Sequence, residues 1–232
     1  MCTLSCAIFV ATKLRKQDVA GKRVLEVGSY DVNGSLRKLI GSWRPAEYTG
    51  VDIQEGPSVD LVCDAEKLLD IFPEESFDVV FSTELLEHVL NPKIVVSNIK
   101  RLCKRNGIIL LTTRSYGFHF HPYPYDFWRF ERPDMEELFS DCQITDLEED
   151  FESPGVLVKV EKPSDFVEAD LSELKLYNIV IDKPVTEMAL SDMTRRLRIG
   201  LAISNAVLST TLSFDKASNG LRGRILKLSK QS

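Results

Sequence analysis

Arg23-Val24-Leu25-Glu26-Val27-Gly28-Ser29 has the pattern of a short buried strand that ends in a carboxylate and a glycine. A second apolar run, Tyr48-Thr49-Gly50-Val51-Asp52-Ile53, also ends in a carboxylate. In a parallel α/β sheet the carboxyl ends of neighbouring strands form one crevice, where glycine lets the backbone approach a ligand and an acid can accept ribose hydroxyls. The two runs therefore predict a parallel sheet that binds a nucleoside-containing ligand.

Composition and charge restrict the alternatives. The chain has 232 residues, 44% of them hydrophobic, which is enough to bury the core of one α/β domain with an appendage. Its formal net charge of −6 argues against a nucleic-acid partner. The five cysteines are odd in number and lack C-x-x-C spacing, which favours a cytoplasmic protein without disulfides or zinc. The apolar residues 4–10 are too few for a transmembrane segment.

Periodicity predicts alternating strands and helices across most of the chain. The predicted strands are 23–28, 47–52, 59–63, 77–82, 107–113, 143–150 and 155–161. The predicted helices are 34–41, 64–71, 91–105 and 132–140. Because only four residues separate the last two strands, they form a hairpin, and one edge strand runs antiparallel to the rest. The expected fold is a Rossmann-like, seven-stranded, mainly parallel sheet with helices on both faces.

The same pattern divides the chain into three regions. Residues 1–21 are expected to form an N-terminal helix over the core, 22–162 the cofactor-binding domain, and 163–232 a helical C-terminal appendage. Leucines at Leu171 and Leu174, and later at Leu197 and Leu201, suggest the helices of this appendage. Its basic end is a candidate for weak contact with an anionic membrane surface, although a solvated helix or packing in a homodimer is favoured.

Four motifs occur in a fixed order. They are Val24-Leu25-Glu26-Val27-Gly28, Val51-Asp52-Ile53, Val62-Cys63-Asp64-Ala65, and Phe77-Asp78-Val79-Val80-Phe81-Ser82 with Leu86-Glu87-His88-Val89. Together they resemble the class I S-adenosylmethionine-dependent methyltransferases of the type 11 kind. The resemblance implies S-adenosylmethionine as cofactor, with Glu26 orienting its methionine end and Asp52 binding its ribose. It also implies that Ile53 packs on adenine, and that Asp64 with Ala65 contacts the adenine edge. Gly28, Ser29 and Ser82 complete the candidate cofactor-binding residues.

The loop after Gly28 departs from the family pattern, because Tyr30 and Val32 stand where small residues are usual. Either cofactor affinity is reduced, or the loop takes another route in which Asn33 and Gly34 adopt unusual dihedral angles. We favour the second interpretation. An NAD-dependent oxidoreductase is disfavoured because G-x-G-x-x-G is absent.

Residues 115–130 are unusually aromatic and follow the predicted strand 107–113 at the ligand-binding edge of the sheet. Eight of the chain's 20 aromatic residues lie between 116 and 130, and we expect two or three of them to face a substrate. Tyr116, Tyr123, Trp128 and Arg129 are the candidate substrate-binding residues.

All three histidines of the chain fall in candidate site regions. His119, His121 and His88, in that order, are candidates for the base that deprotonates a methyl acceptor. If a helix begins at Thr83, Glu84 lies one turn from His88 and orients its ring. His119 and His121 are also spaced to chelate a metal, but no third ligand is evident nearby, so no metal site is predicted.

The sequence thus predicts an enzyme that transfers a methyl group from S-adenosylmethionine to a hydroxyl or amine of a small molecule or saccharide. A catalytically inactive Rossmann-like binding or scaffold protein is the main alternative, since it would explain the irregular loop after Gly28.

Overall fold

The computed structural model describes residues 3–32, 34–122, 125–189 and 191, which are built around a seven-stranded sheet. The helices are α1 (Leu4–Lys13), α2 (Lys16–Val19), α3 (Arg37–Ser42), α4 (Pro92–Leu102) and α5 (Arg132–Leu138), with 3₁₀ helices at Ala65–Asp70 and Leu86–His88. The strands are β1 (Arg23–Val27), β2 (Glu47–Asp52), β3 (Leu61–Val62), β4 (Phe77–Thr83), β5 (Cys103–Arg114), β6 (Trp128–Arg129), β7 (Gln143–Glu149), β8 (Gly155–Glu161), β9 (Leu176–Asn178) and β10 (Lys183–Val185).

The seven predicted strands are all present, in the order β3-β2-β1-β4-β5-β8-β7. Every residue of β4 except Asp78 is buried, as is typical of a parallel strand covered on both faces. β1 pairs in parallel with both β2 and β4, so the strand order reverses beside β1 and a crevice opens outside the carboxyl ends of these strands. The predicted antiparallel strand is β8, which lies between β5 and the edge strand β7. The expected Rossmann-like sheet is confirmed.

Two apolar clusters cover the two faces of this sheet. On one face, α1 contributes Cys6, Phe9 and Val10 to a cluster shared with Val24 of β1 and Leu110 of β5. This i, i+3, i+4 spacing places all three residues on one side of the helix. The other face is covered by α4, α5 and the 3₁₀ helix at Ala65–Asp70. The N-terminal helix over the core is present, but it ends at Lys13 and α2 follows separately.

The described part of the predicted helical appendage is extended instead. β9 pairs with both β6 and β10 in a second, three-stranded antiparallel sheet. Leu174 and Leu176 are both buried in the main core, and their spacing of two is the period of a strand. The helices expected around Leu197 and Leu201 fall outside the described residues. None of the helices in the described ranges is long and apolar enough to cross a membrane.

Candidate active site

A cavity of about 290 Å³ lies where the predicted ligand crevice should be. It is bordered by Gly28 after β1, by Asp52 at the end of β2 and by Leu85 beyond β4. Ile53, Asp64 and Ala65 also line it. Five of the eight predicted cofactor-binding residues therefore lie around one cavity at the carboxyl edge of the sheet.

Gly28 is required by both backbone conformation and space. Its φ is +83°, and an added Cβ would lie 3.3 Å from the Cβ of Leu85. The amides of Gly28 and Ser29 both donate to the carbonyl of Val51, at 2.9 and 3.0 Å, which holds the loop against β2. A side chain at position 28 would therefore strain the loop and narrow the cavity.

Tyr30 lines the cavity without closing it, because its ring packs across Gly56. A Cβ added to Gly56 would lie only 2.0 Å from Cε2 of Tyr30, so the glycine makes room for the ring. Further along the loop, Gly34 has a φ of +138° and its amide donates to Oδ1 of Asp31 at 2.9 Å. The unusual dihedral angle expected at Gly34 is present, whereas Asn33 lies outside the described residues.

The carboxylate of Asp52 is fixed by backbone amides on both sides. Its Oδ2 accepts from the amide of Tyr30 and its Oδ1 from the amide of Gln54, each at 3.1 Å. The neighbouring Ile53 is 61% exposed, which leaves an apolar side chain free at the rim. Asp64 accepts from the amide of Glu66 at 3.0 Å and begins the 3₁₀ helix that follows.

Three predicted cofactor residues lie outside the cavity lining. Ser82 donates to the carbonyl of Val27 at 2.7 Å, which ties β4 to β1. Glu26 is buried and accepts a hydrogen bond from the hydroxyl of Tyr48, a partner that the sequence motifs did not indicate. Burial raises the pKa of Glu26 to about 7, although the hydrogen bond from Tyr48 opposes this rise. Ser29 is also buried, and its Oγ has no hydrogen-bond partner among the described residues.

A further part of the cavity wall is formed by the 84–90 segment and the aromatic loop. Tyr125 and Phe127 line the cavity with rings stacked 5.2 Å apart. They are two of the eight aromatic residues between 116 and 130. Of the three histidines, only His88 lines the cavity.

The predicted pairing of Glu84 with His88 is wrong. Thr83 ends β4 instead of beginning a helix, and Glu84 has a φ of +54°. Glu84 is one of the residues that line the cavity, and its carboxylate forms a buried ion pair with Arg114. Burial and the charge of Glu87 raise the pKa of Glu84 to about 7.

His88 and His121 instead converge on Glu87, which the sequence reasoning did not single out as a site residue. The Nε2 atoms of the two histidines each lie 3.9 Å from Oε1 of Glu87. Burial lowers the pKa of His88, outweighing the charge of Glu87. These three residues are called the histidine cluster below.

Trp128 and Arg129, two of the predicted substrate-binding residues, are each 1% exposed and do not belong to the cavity lining. The indole of Trp128 donates to the carbonyl of Val89 at 2.9 Å. The guanidinium of Arg129 donates to both carboxylate oxygens of Asp126, at 2.5 and 2.9 Å. Although burial opposes it, these bonds and those from His121 hold the pKa of Asp126 well below its usual range. Both predicted contacts therefore support the loop from inside.

The remaining predicted residues lie away from the cavity lining or outside the described residues. Tyr116 is 67% exposed and packs edge-on against Tyr177. His119 is exposed and stacks on Phe118 at 4.4 Å. Its ring meets that of His121 edge-on at 5.9 Å, but it lies outside the cavity lining and is not one of the three clustered ligands. Tyr123 is outside the described residues.

Comparison with known proteins agrees with this geometry. Residues 7–156 match the family described as "Methyltransferase domain". The chain belongs to this methyltransferase family. The match starts inside α1 and ends in β8, so it includes the crevice and the aromatic loop. The resemblance noted in the sequence is confirmed.

Curated relatives match over part of their length. Ubiquinone biosynthesis O-methyltransferases from Dechloromonas aromatica and Idiomarina loihiensis are 37% and 35% identical over 109 and 106 residues. These alignments cover 41% and 40% of this chain, and 45% and 42% of the relatives. The chain thus spans less than half the length of the relatives it matches.

Solved structures agree in fold. A putative S-adenosylmethionine-dependent methyltransferase from Listeria monocytogenes has a TM-score of 0.51 at 14% identity, covering 68% of this chain and 98% of the other. The Burkholderia thailandensis 1,6-didemethyltoxoflavin-N1-methyltransferase, solved with S-adenosylhomocysteine, has a TM-score of 0.54 at 14% identity, covering 68% and 78%. The [4+2]-cyclase SpnF is equally similar in fold, with a TM-score of 0.54, so the fold alone does not specify the reaction.

The residues around the crevice fit the family's cofactor, S-adenosylmethionine. Gly28 keeps the backbone accessible, and Asp52 presents a fixed carboxylate at the end of β2. Apolar surface for a base is available beside Asp52, at Ile53 and Ala65.

Proposed function

We propose that the protein is an S-adenosylmethionine-dependent methyltransferase that methylates a hydroxyl group of a small molecule with an apolar face. The observation that carries this proposal is that the Gly28–Asp52 crevice and the aromatic pair Tyr125 and Phe127 line the same cavity. A cofactor site and an acceptor site must share one space for direct transfer. The curated relatives, named as O-methyltransferases, support a hydroxyl acceptor.

On the cofactor side, each residue has a role that its position allows. Asp52 accepts the hydroxyls of the ribose, because its carboxylate is held at the end of β2. Ile53 and Ala65 supply apolar contacts to the adenine, and Asp64 lies beside them. The bound cofactor supplies an electrophilic methyl group on a sulfonium. Gly28 and Ser29 let the backbone approach its methionine end.

On the acceptor side, Tyr125, Phe127 and Leu85 exclude water and position the acceptor. Holding two reactants in register contributes about 7–11 kcal/mol in favourable cases. The hydroxyl must also lose its proton. His88 lines the cavity, and its Nδ1 bonds to the carbonyl of Tyr125, so Nε2 carries a free electron pair. This electron pair can assist loss of the proton in two ways. It can accept the proton itself, or it can bind a cation that makes the hydroxyl more acidic.

Calorimetric titration of the protein with S-adenosylmethionine, and separately with NAD, tests the proposal. The wild-type chain is expected to bind S-adenosylmethionine only. Asp52→Ala should weaken binding by about 10- to 100-fold, the equivalent of losing charged hydrogen bonds worth roughly 1.5–3 kcal/mol. Asp165→Ala, at an exposed aspartate outside the cavity lining, is the matched control and should bind as the wild type does.

Two outcomes would overturn the proposal. Absence of heat with S-adenosylmethionine would favour a Rossmann-like binding or scaffold protein, and heat with NAD alone would favour an oxidoreductase. Where cofactor binds, formation of S-adenosylhomocysteine with phenolic, alcohol, amine and saccharide acceptors would identify the acceptor group. A preference for amines or saccharides would replace the proposed apolar hydroxyl acceptor.

A further inference from the structure

Three buried electron-pair donors face one another in the histidine cluster. Oε1 of Glu87, Nε2 of His88 and Nε2 of His121 have no hydrogen-bond partner among the described residues. One ligand atom from each residue can be chosen so that all lie within 4.8 Å of one another. Glu87 is fully buried, so its unpartnered oxygen has lost hydration without gaining a donor. Such a group is costly unless something absent from the protein chain satisfies it.

Contacts around each residue direct its free electron pair towards the centre of the cluster. Nδ1 of His88 bonds to the carbonyl of Tyr125, which leaves Nε2 unprotonated. Nδ1 of His121 lies 3.0 Å from Oδ2 of Asp126 without an aligned hydrogen bond, so this carboxylate attracts a proton to Nδ1 and leaves Nε2 free. The second oxygen of Glu87 accepts from the hydroxyl of Thr113 at 2.7 Å. Metal-binding histidines and carboxylates are held in this way by a second layer of partners.

Asp126 contacts His121 from a fixed position, because the guanidinium of Arg129 pairs with the Asp126 carboxylate and offsets its negative charge. The pair is fully buried, and the amide of His121 also donates to Asp126 at 2.8 Å. The buried pair of Asp126 and Arg129 therefore orients a ligand atom of the cluster.

From this arrangement we infer that Glu87, His88 and His121 bind a divalent transition-metal cation, with zinc as the first candidate. Two imidazoles and a carboxylate are a ligand set typical of sites that keep an open position. In a tetrahedral zinc site with bonds of about 2.1 Å, ligand atoms lie roughly 3.4 Å apart. The histidine nitrogens lie 3.9 Å from Oε1 of Glu87, so a small rotation of the rings closes the site.

The inferred ion would add a function to the proposed methyltransferase site. His88 belongs both to the cluster and to the cavity lining, which places the ion in the wall of the cavity. A hydroxyl that reaches the open position would lose its proton more readily. This consequence rests on the proposed function, whereas metal binding itself does not.

Titrating metal-free protein with Zn²⁺ and with Co²⁺ tests the inference, using calorimetry and the visible absorption of bound Co²⁺. The wild-type chain is expected to bind one equivalent of each ion. His121→Ala should lower the affinity by at least about 100-fold, and Asp126→Asn by about 10- to 100-fold through the orientation of His121. His119→Ala is the matched control, because it removes an exposed histidine two positions away in the same loop.

Circular dichroism of each variant establishes that it folds, and Glu87→Gln supplies a second ligand variant. Absence of binding by the wild type would overturn the inference and assign the cluster to a proton or water. Equal loss in His119→Ala and His121→Ala would also overturn it, since that result indicates chelation by the exposed loop. S-Adenosylmethionine titration of the same metal-free protein is independent of these outcomes, so failure of the metal site and failure of the proposed function are distinguishable.

Discussion

Replacing Glu26 with glutamine separates the cost of burying this carboxylate from its role in binding. Glu26 is 3% exposed and accepts a hydrogen bond from the hydroxyl of Tyr48. A glutamine amide oxygen can accept the same bond, so packing is conserved. Burial raises the pKa of Glu26 from its ordinary value of 4.5 to about 7, although Tyr48 opposes the rise.

The direction of the effect follows from the protons that each state holds. Between pH 4.5 and 7 the folded protein retains the Glu26 proton, whereas the unfolded chain has lost it. The free energy of unfolding therefore falls as pH rises through this window. At about 1.4 kcal/mol per pKa unit, the loss amounts to about 3 kcal/mol by pH 8. Glutamine does not titrate, so Glu26→Gln should become more stable relative to the wild type by up to this amount.

Urea unfolding of both proteins without cofactor, at intervals from about pH 4.5 to 8, measures this difference. Subtracting the two curves removes other titrating groups, including Glu84, whose pKa is also raised. A difference that stays constant over this range would refute the reasoning. The family resemblance implies that Glu26 orients the methionine end of the cofactor, so the same variant is expected to bind S-adenosylmethionine more weakly.

Two further substitutions test the loop assignments. Gly28→Ala should lower the free energy of unfolding by about 1–2 kcal/mol, because position 28 has a φ of +83° and the new Cβ meets Leu85; an unchanged urea midpoint would contradict this. Arg129→Met should cost about 3–5 kcal/mol, since it leaves Asp126 buried without its partner. Tyr116→Ala, in the same loop but at a 67% exposed side chain, should change stability by less than about 0.5 kcal/mol, and equal losses in thermal unfolding would show that Arg129 has no special structural role.

The central sheet could be predicted because its strands are buried on both faces. β4 is buried along nearly its whole length and contains the apolar run Val79-Val80-Phe81, which has few alternatives in a chain of this composition. Gly28 directly follows β1 and Asp52 is the last residue of β2, so the position of the crevice could also be predicted. β6, β9 and β10 could not be predicted, since strands of two or three residues carry too few positions to show a period.

The histidine cluster could not be predicted from spacing either. In the sequence, spacing suggests that His121 pairs with His119, whereas the structure places His121 beside Glu87 and His88. The segment 86–88 follows β4 and the aromatic loop follows β5, so parallel pairing of these two strands determines their meeting. Local sequence separation contains no information about that contact.

Arg129 shows why aromatic and charged residues in a loop need not face the ligand. A loop that crosses the edge of a sheet carries many backbone carbonyls, and those removed from water need donors. Arg129 donates to the carbonyls of Phe118, His119 and Trp128 as well as to Asp126, which uses the several fixed donors of a guanidinium. The charge of Arg129 therefore stabilises a buried turn, and Asp126, held in place by Arg129, in turn positions His121. Tyr125 and Phe127, which line the cavity, lie directly beside this anchor. Arg129 and Trp128, which the sequence suggested as substrate contacts, therefore support the cavity wall from behind.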